Sequence, residues 1–228
     1  MHGHKEISNK PRVACTLLHV TFLAVAAWIF FGGRATTLLT WLEVYMPDGG
    51  NLGHRILLFS FGVVLFARMT LTLFVLLKRR FAWNELGGVA FALFVYQVGF
   101  SSLGAGETTY PGFLDAVAIG LFLFGSYINT GSELQRKRFK DDPKNRGRLY
   151  TGGLFRFARH INYFGDILWV SGWAIATRDI RSALIPIALT AGFVFAFIPS
   201  LTEHLRTTYG EQFNEWSNHT KALIPYIY

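Results

Sequence analysis

Long uncharged apolar runs constrain this chain more than any other feature of its sequence. Six such runs recur between residue 13 and residue 202. Allowing one interrupting charge in a few of them, each approaches the roughly 20 residues that a helix needs to cross the hydrocarbon core of a bilayer. The runs cover residues 13–33, 56–67, 86–106, 116–132, 167–177 and 182–202. The pattern predicts a polytopic membrane protein, and the run at 167–177 is the shortest of the six.

Composition agrees with this prediction. The chain has 228 residues, of which 16% are charged, whereas a soluble domain carries about 25%. Six spans would occupy about 120 residues, which leaves no room for a separate water-soluble domain. These numbers exclude an ordinary soluble enzyme, a disordered chain and a fibrous protein. We therefore expect an all-α bundle of about six transmembrane helices that forms a single domain over residues 1–228.

The basic residues predict an orientation. Of the 22 Lys and Arg, 17 fall in one alternating set of gaps between the predicted spans and four in the other, while Arg68 lies within the second span. Basic residues are enriched in cytoplasmic loops, so both termini are expected in the cytoplasm. The apolar run after Arg12 exceeds a signal-peptide core of 7–15 residues, and we expect an anchoring first helix.

The remaining compositional signals narrow the partners. The basic residues that give the net charge of +8 flank membrane helices, and no nucleic-acid motif accompanies them. We therefore attribute this charge to membrane topology and to binding of anionic lipid, and not to binding of nucleic acid. Cys15 is the single cysteine, which excludes an internal disulfide and a cysteine-based zinc site. We expect no metal.

Residues 131–160 form a strongly basic segment with nine Lys and Arg against three acidic residues. Large apolar side chains such as Leu149 and Phe155 lie among its glycines. Glycine lets backbone approach a ligand closely, and guanidinium groups pair with phosphate in a bidentate manner. The segment therefore predicts a site for a polyanionic cofactor or substrate. A lipid-facing loop that only sets the topology is the alternative.

The next residues place a cation, an imidazole, an amide, a phenol and a carboxylate at the start of a membrane span. Ionisable groups at such a depth cost a few kcal/mol unless they are paired or hydrated. Asn162 and Asp166 are four residues apart and share a helix face, as do Arg159 and Tyr163. We predict a polar cavity at the cytoplasmic end of this helix. The alternative is a capped helix start with an interfacial aromatic belt.

Several blocks of the second half, taken together, resemble the steroid 5-alpha-reductase C-terminal family, which is related to sterol reductases. The similarity covers about residues 115–228. The similar blocks read QRKRFK at 135–140, NRG at 145–147, GGLFRFARH at 152–160, NYFGD at 162–166 and KALIPYIY at 221–228. The same superfamily holds isoprenylcysteine and phospholipid methyltransferases. These are similar at Glu203, Leu205, Tyr209 and Gly210, although Leu205 is one residue short of their spacing, and Ile161 replaces a proline usual in both branches.

The resemblance implies a membrane reductase in which NADPH binds on the cytoplasmic side without a Rossmann motif. It implies a cofactor-binding half at 113–228 and N-terminal helices at 1–112 on the substrate side. NADPH would deliver a hydride to a polarised carbon–carbon double bond of a steroid-like, sterol-like or lipid-like enone. By matching position, the implied cofactor-binding residues are Arg136, Lys140, Arg146, Arg148, Arg159, His160, Asn162, Tyr163 and Asp166.

The catalytic side chains follow less directly from the resemblance. The Gln-Glu pair with which steroid 5-alpha-reductases grip the ketone has no match in this chain. Glu43 and Tyr96 are the candidates from the N-terminal spans, and Glu203 matches the position of an acidic residue in sterol reductases. Two other functions remain open, an S-adenosylmethionine-dependent methyltransferase of a lipid or isoprenylcysteine and a non-catalytic scaffold. In every case the expected location is a bacterial inner membrane or an endoplasmic-reticulum-type membrane.

Overall fold

The computed structural model describes residues 9–32 and 50–228, and every regular element in these residues is helical. The all-α prediction is therefore confirmed. The α-helices are α1 Lys10–Phe31, α2 Leu52–Leu71, α3 Trp83–Phe94, α4 Phe100–Gly104, α5 Phe113–Asp141, α6 Ile161–Ala176, α7 Leu184–Gly192, α8 Ile198–Tyr209 and α9 Glu211–His219. π-Helical turns Thr72–Leu76, Val95–Gly99 and Phe193–Phe197 extend α2 and join α3 to α4 and α7 to α8.

Five continuous helical stretches in the described residues are long and apolar enough to cross a membrane. They are Lys10–Phe31, Leu52–Leu76, Trp83–Gly104, Phe113–Asp141 and Ile180–Tyr209. The remaining predicted span, 167–177, coincides with α6, which has 16 residues. The chain is an integral membrane protein with a helical bundle of about six spans.

The described chain divides into two compact units. The first comprises residues up to Asp115 together with Ile175–Ser182, and the second comprises Ala116–Ala174 and Ala183–Tyr228. In the first unit α1 packs against α2 and α3. The buried Gln97 amide, in the π-helical turn after α3, lies 2.9 Å from His19 Nε2 and donates to the carbonyl of Gly62 at 3.0 Å. This polar contact ties α1, α2 and the third span together.

Arg12 shows how the first unit accommodates a basic residue at the end of a span. Its side chain is buried, and its guanidinium donates to the carbonyls of Leu77 at 2.8 Å and Arg79 at 2.9 Å. These carbonyls follow the π-helical turn that ends the second span, where helical acceptors lack partners. Arg12 therefore caps the second span.

In the second unit α5 and α6 cross in close contact, and glycines lie at the points where their backbones approach each other. A Cβ added to Gly165 would lie 2.6 Å from the backbone nitrogen of Asn129, and one added to Gly125 would lie 2.6 Å from the carbonyl oxygen of Gly165. Gly172 meets the Ala118 carbonyl oxygen in the same way, at 2.6 Å. Small residues let membrane helices approach backbone to backbone. The close crossing brings the polar side chains of the two helices within hydrogen-bonding distance.

Candidate functional site

A polar network joins α5 to α6 at the end of the helices next to the basic segment. Asn129 Nδ2 donates to Asp166 Oδ1 at 2.9 Å and to the carbonyl of Asn162 at 3.2 Å. Asn162 Nδ2 donates to Glu133 Oε1 at 3.1 Å, and Trp169 Nε1 donates to Asp166 Oδ1 at 2.7 Å. The two amides thus alternate with two carboxylates, and the four side chains are only partly buried. This network can offer both donors and acceptors to a polar ligand.

His160 and Tyr163 lie beside this network in an aromatic stack. The ring centroids of His160 and Tyr163 are 5.6 Å apart, and those of Tyr163 and Phe193 are 4.3 Å apart with nearly parallel planes. His160 is 1% exposed, and its Nε2 has no hydrogen-bond partner in the structure. The pKa of His160 is lowered to about 4, mainly by burial and to a lesser extent by the positive charges of Arg159 and Arg136. The imidazole is therefore neutral at pH 7.

Arg136 and Lys140, two of the predicted cofactor-binding cations, have different surroundings. Arg136 forms an ion pair with Glu133, and its guanidinium lies 5.7 Å from the centroid of the Phe155 ring. Lys140 Nζ donates to the Arg148 carbonyl at 2.5 Å and to the Tyr209 hydroxyl at 3.0 Å. Lys140 therefore holds the loop that follows α5.

Arg146 and Arg148 are exposed and line two pockets in the second unit. A pocket of about 390 Å³ is lined by Lys140, Asp142, Pro143, Asn145, Arg146 and Gly147. A pocket of about 410 Å³ is lined by Phe139, Arg148, Leu149, Tyr150, Thr151, Gly152, Gln212, Glu215 and Trp216. These cations are available for an anionic ligand.

Arg159 contacts the main chain of the C-terminal segment. Its Nη1 donates to the carbonyls of Ser217 at 3.0 Å and Thr220 at 2.6 Å. Its backbone nitrogen donates to Lys221 O at 2.8 Å, and that of His160 donates to Ala222 O at 2.9 Å. Arg159 thereby fixes this segment against the start of α6, which positions the neighbouring His160.

The three catalytic candidates are not brought together in the described residues. Glu43 lies outside them. Tyr96 belongs to the first unit, in the π-helical turn Val95–Gly99, and its ring stacks on Phe100 with centroids 6.3 Å apart. Glu203 belongs to the second unit, where its side chain is 63% exposed and pairs with Arg206 at 3.3 Å.

Sequence reasoning missed Asn129, Glu133 and Trp169. Asn129 and Glu133 are four residues apart on α5, the same spacing as Asn162 and Asp166 on α6. That shared spacing was the available signal, because residues four apart lie on one helix face. Two polar faces of this kind on neighbouring membrane helices pair with each other more readily than with lipid.

Comparisons with known proteins agree with the motifs of the second half. The model of the family described as "Protein of unknown function (DUF1295)" matches residues 81–220. The chain is 29% identical over 120 residues to 3-oxo-5-alpha-steroid 4-dehydrogenase 1 of Macaca fascicularis, covering 53% of this chain and 43% of that protein. It is 33% identical over 128 residues to the Delta(14)-sterol reductase erg24 of Schizosaccharomyces pombe, covering 47% and 29%.

A relative with a different activity matches as well. The chain is 32% identical over 130 residues to the probable O-methyltransferase ustE of Ustilaginoidea virens, covering 54% of this chain and 44% of that protein. The chain therefore spans less than half the length of each of these three relatives. The resemblance to the steroid 5-alpha-reductase C-terminal family is confirmed, and relatives with both predicted chemistries are present.

Proposed function

Because this chain belongs to the DUF1295 family, we propose that it is a membrane-embedded, NADPH-dependent reductase of a carbon–carbon double bond in a hydrophobic, lipid-like enone. The observation that carries the proposal is the network of Asn129, Glu133, Asn162 and Asp166 beside the basic segment. A scaffold has no need of four polar side chains at the end of two membrane helices, since each costs free energy there. Relatives named as steroid and sterol reductases match over this same half.

The residues present fit a dinucleotide with several phosphates. Arg146 and Arg148 line the two pockets and would bind the phosphates, and the surplus of positive charge would favour NADPH over NADH. The indole nitrogen of Trp216, which lines the larger pocket, is buried without a hydrogen-bond partner. In this proposal a bound ligand would supply the partner of this donor.

The polar network would orient the reacting end of the cofactor. When bound, NADPH supplies a hydride. Asn162 and Asp166 offer a donor and an acceptor of the kind that holds a carboxamide in one orientation. The neutral His160 and Tyr163 would enclose this end and limit the access of water. Glu43, Tyr96 and Glu203 remain our candidates for polarising or protonating the substrate.

An S-adenosylmethionine-dependent methyltransferase is the second candidate. The similarity to a probable O-methyltransferase favours it, as does the match at Glu203, Tyr209 and Gly210. The Tyr209 hydroxyl accepts the hydrogen bond from Lys140, so this motif contacts the basic segment. Both candidates need a cofactor on the same half of the chain, and ligand binding separates them.

The test is thermal unfolding of the protein in detergent with NADPH, NADH or S-adenosylmethionine added. A ligand at 100 times its dissociation constant stabilises by about 2.7 kcal/mol. We expect stabilisation by NADPH. We also expect Asn162→Ala to abolish the NADPH effect while unfolding at a temperature close to that of the matched control Asn218→Ala, which alters an exposed asparagine on α9. Stabilisation by S-adenosylmethionine alone would establish the second candidate, and stabilisation by none of the three would overturn both.

A further inference from the structure

We propose that a buried ionic cluster of His54, Asp115 and Arg178 holds the short helix α6 across the membrane. The inference concerns the topology of the chain and does not depend on the proposed function. The apolar run of α6, at 167–177, has 11 residues, about half of the roughly 20 that a span requires. α6 is also not among the five stretches that are long and apolar enough to cross a membrane. Hydropathy alone therefore does not commit α6 to cross.

The three side chains of the cluster come from three different segments of the first unit. His54 lies in the first turn of α2, Asp115 lies in the first turn of α5, and Arg178 follows the end of α6 by two residues. Arg178 Nη2 donates to Asp115 Oδ2, which also accepts from the backbone nitrogen of Gly112 at 2.7 Å. The other oxygen, Asp115 Oδ1, lies 3.5 Å from His54 Nδ1. The chain that follows α6 is thereby tied to the first turns of α2 and α5.

Burial makes this contact stronger than an ion pair on the protein surface. Asp115 is 2% exposed and His54 is fully buried, and the Arg178 side chain is 19% exposed. Removing one partner of a buried pair leaves an uncompensated charge in the interior, whereas exposed pairs contribute little to stability. The pairing of Arg178 with Asp115 can therefore fix the position of the chain that follows α6.

The backbone conformation of Arg178 is strained in a way that the ion pair explains. Arg178 has a φ of 60°, and its backbone nitrogen donates to the carbonyl of Ile175 at 3.2 Å. This is the left-handed position that ends many helices, and glycine usually occupies it. A residue with a side chain is disfavoured in this conformation. Arginine is accounted for here because its guanidinium reaches Asp115.

The hydrogen-bond partners of α6 lie far apart along α5. Asn162, near the start of α6, donates to Glu133, whereas Arg178, beyond its end, donates to Asp115. Glu133 and Asp115 are 18 residues apart on this one helix, which corresponds to about 27 Å. The hydrocarbon core of a bilayer is about 30 Å thick. Along α5, the two contacts are therefore separated by nearly the thickness of the core.

The test is labelling with a membrane-impermeant maleimide in sealed vesicles, since the native cysteine is buried. The reporters are Lys144→Cys before α6 and Arg181→Cys after it, because both positions are exposed. With the cluster intact, we expect the two reporters to react from opposite sides. Arg178→Gly should remove more than half of the labelling of Arg181→Cys from its own side. It should also lower the unfolding temperature in detergent by roughly 6–20 °C.

Arg178→Gly is a sharp test because two simpler rules predict the opposite result. Glycine is the preferred residue at a left-handed helix end, and removing an arginine from the non-cytoplasmic side favours crossing under the positive-inside rule. Both rules predict that Arg178→Gly improves α6 as a span, whereas loss of the ion pair predicts the reverse. Arg181→Cys is itself the matched charge control, because Arg181 is 73% exposed and pairs with Asp179, two residues away.

A charge exchange separates loss of the ion pair from a general loss of folding. Arg178→Asp should lose the labelling pattern, and adding Asp115→Arg should restore part of the labelling and of the unfolding temperature, because the pair is rebuilt with its charges exchanged. Wild-type labelling with an unchanged or higher unfolding temperature in Arg178→Gly would overturn the inference, as would no recovery in the exchanged chain. NADPH takes no part in these measurements, so either result leaves the test of the proposed function unaffected.

Discussion

Asp166 illustrates how one side chain can serve both the fold and a ligand site. A single oxygen of its carboxylate accepts from Asn129 Nδ2 and from Trp169 Nε1, and the Trp169 side chain is buried. Removing the carboxylate would remove the hydrogen bonds that these two side chains donate to a charged group, at a cost of about 1.5–3 kcal/mol each. Asn162 donates instead to the carboxylate of Glu133, which also pairs with Arg136. Asn162 is therefore the better probe of cofactor binding, because Glu133 keeps a partner when Asn162 is truncated.

His160 should make the stability of the protein depend on pH. Its pKa is lowered from 6.5 to about 4 by burial and by Arg159 and Arg136. Below pH 6.5 the unfolded chain binds a proton on this residue that the folded protein does not bind. Stability is therefore unaffected above pH 6.5 and falls by up to about 3 kcal/mol as the pH decreases towards 4. We expect the unfolding temperature of His160→Gln to fall less between pH 7.5 and pH 5 than that of the wild type.

The matched control for this prediction is His219→Gln. His219 is an exposed histidine at the end of α9, and its replacement should leave the pH dependence of the unfolding temperature as it is in the wild type. Equal pH dependence in His160→Gln and the wild type would show that His160 is not the group responsible.

At the scale of the helices, the sequence predicted where the spans lie but not how long the helices are. The run 116–132 is part of α5, which continues to Asp141. The last part of α5 is polar, and Lys137 and Asp141 form an ion pair of 2.7 Å on its surface. An apolar run marks only the part of a helix that lies inside the membrane. The helix itself continues for as long as its backbone hydrogen bonds are favourable. For the same reason α6 begins at Ile161, before the apolar run at 167–177.

The candidate site could be predicted only in part, because half of it depends on which helices are neighbours. Asn162 and Asp166 stood out by their polarity within a single short stretch. Their partners Asn129 and Glu133 lie about 30 residues earlier, on a helix whose position relative to α6 follows from the glycine crossing. The roles of the individual cations could not be predicted from the sequence either. Arg159 and Lys140 bind main-chain carbonyls, and net charge cannot distinguish such a role from phosphate binding.

The crossing of α5 and α6 should tolerate no added methyl group. In Gly165→Ala the new Cβ would lie 2.6 Å from the Asn129 nitrogen and 2.8 Å from the Gly125 carbonyl oxygen, so the helices must separate. Overpacking of this kind costs about 1–3 kcal/mol, which corresponds to a loss of roughly 2–12 °C in the unfolding temperature for a chain of this size. Gly120→Ala is the control, on the partner helix α5, since a Cβ there meets nothing within 4 Å. An unchanged unfolding temperature in Gly165→Ala would contradict the close crossing.

At the scale of the whole molecule, the topology depends on α6. Its 16 residues are about 24 Å long, shorter than the hydrocarbon core of about 30 Å. A short helix can still cross if the bilayer thins or if its flanking residues reach the interface. The charge asymmetry of 17 to four between alternating gaps assumes that α6 crosses. If it does not, the basic segment before α6 and the loop after it lie on the same side of the membrane.

The single native cysteine makes this question accessible to labelling. Cys15 is buried, so an added cysteine can be followed with a membrane-impermeant maleimide in sealed vesicles. Lys144, Arg181 and Lys221 are exposed. Lys144 lies before α6, Arg181 lies between α6 and α7, and Lys221 lies after α9. If α6 crosses, Lys144→Cys and Lys221→Cys react from the same side and Arg181→Cys reacts from the opposite side. If it does not cross, Lys144→Cys reacts from the side of Arg181→Cys. Only the first pattern places the basic segment on the same side of the membrane as the C-terminal segment that Arg159 contacts. The proposed cofactor site requires this arrangement.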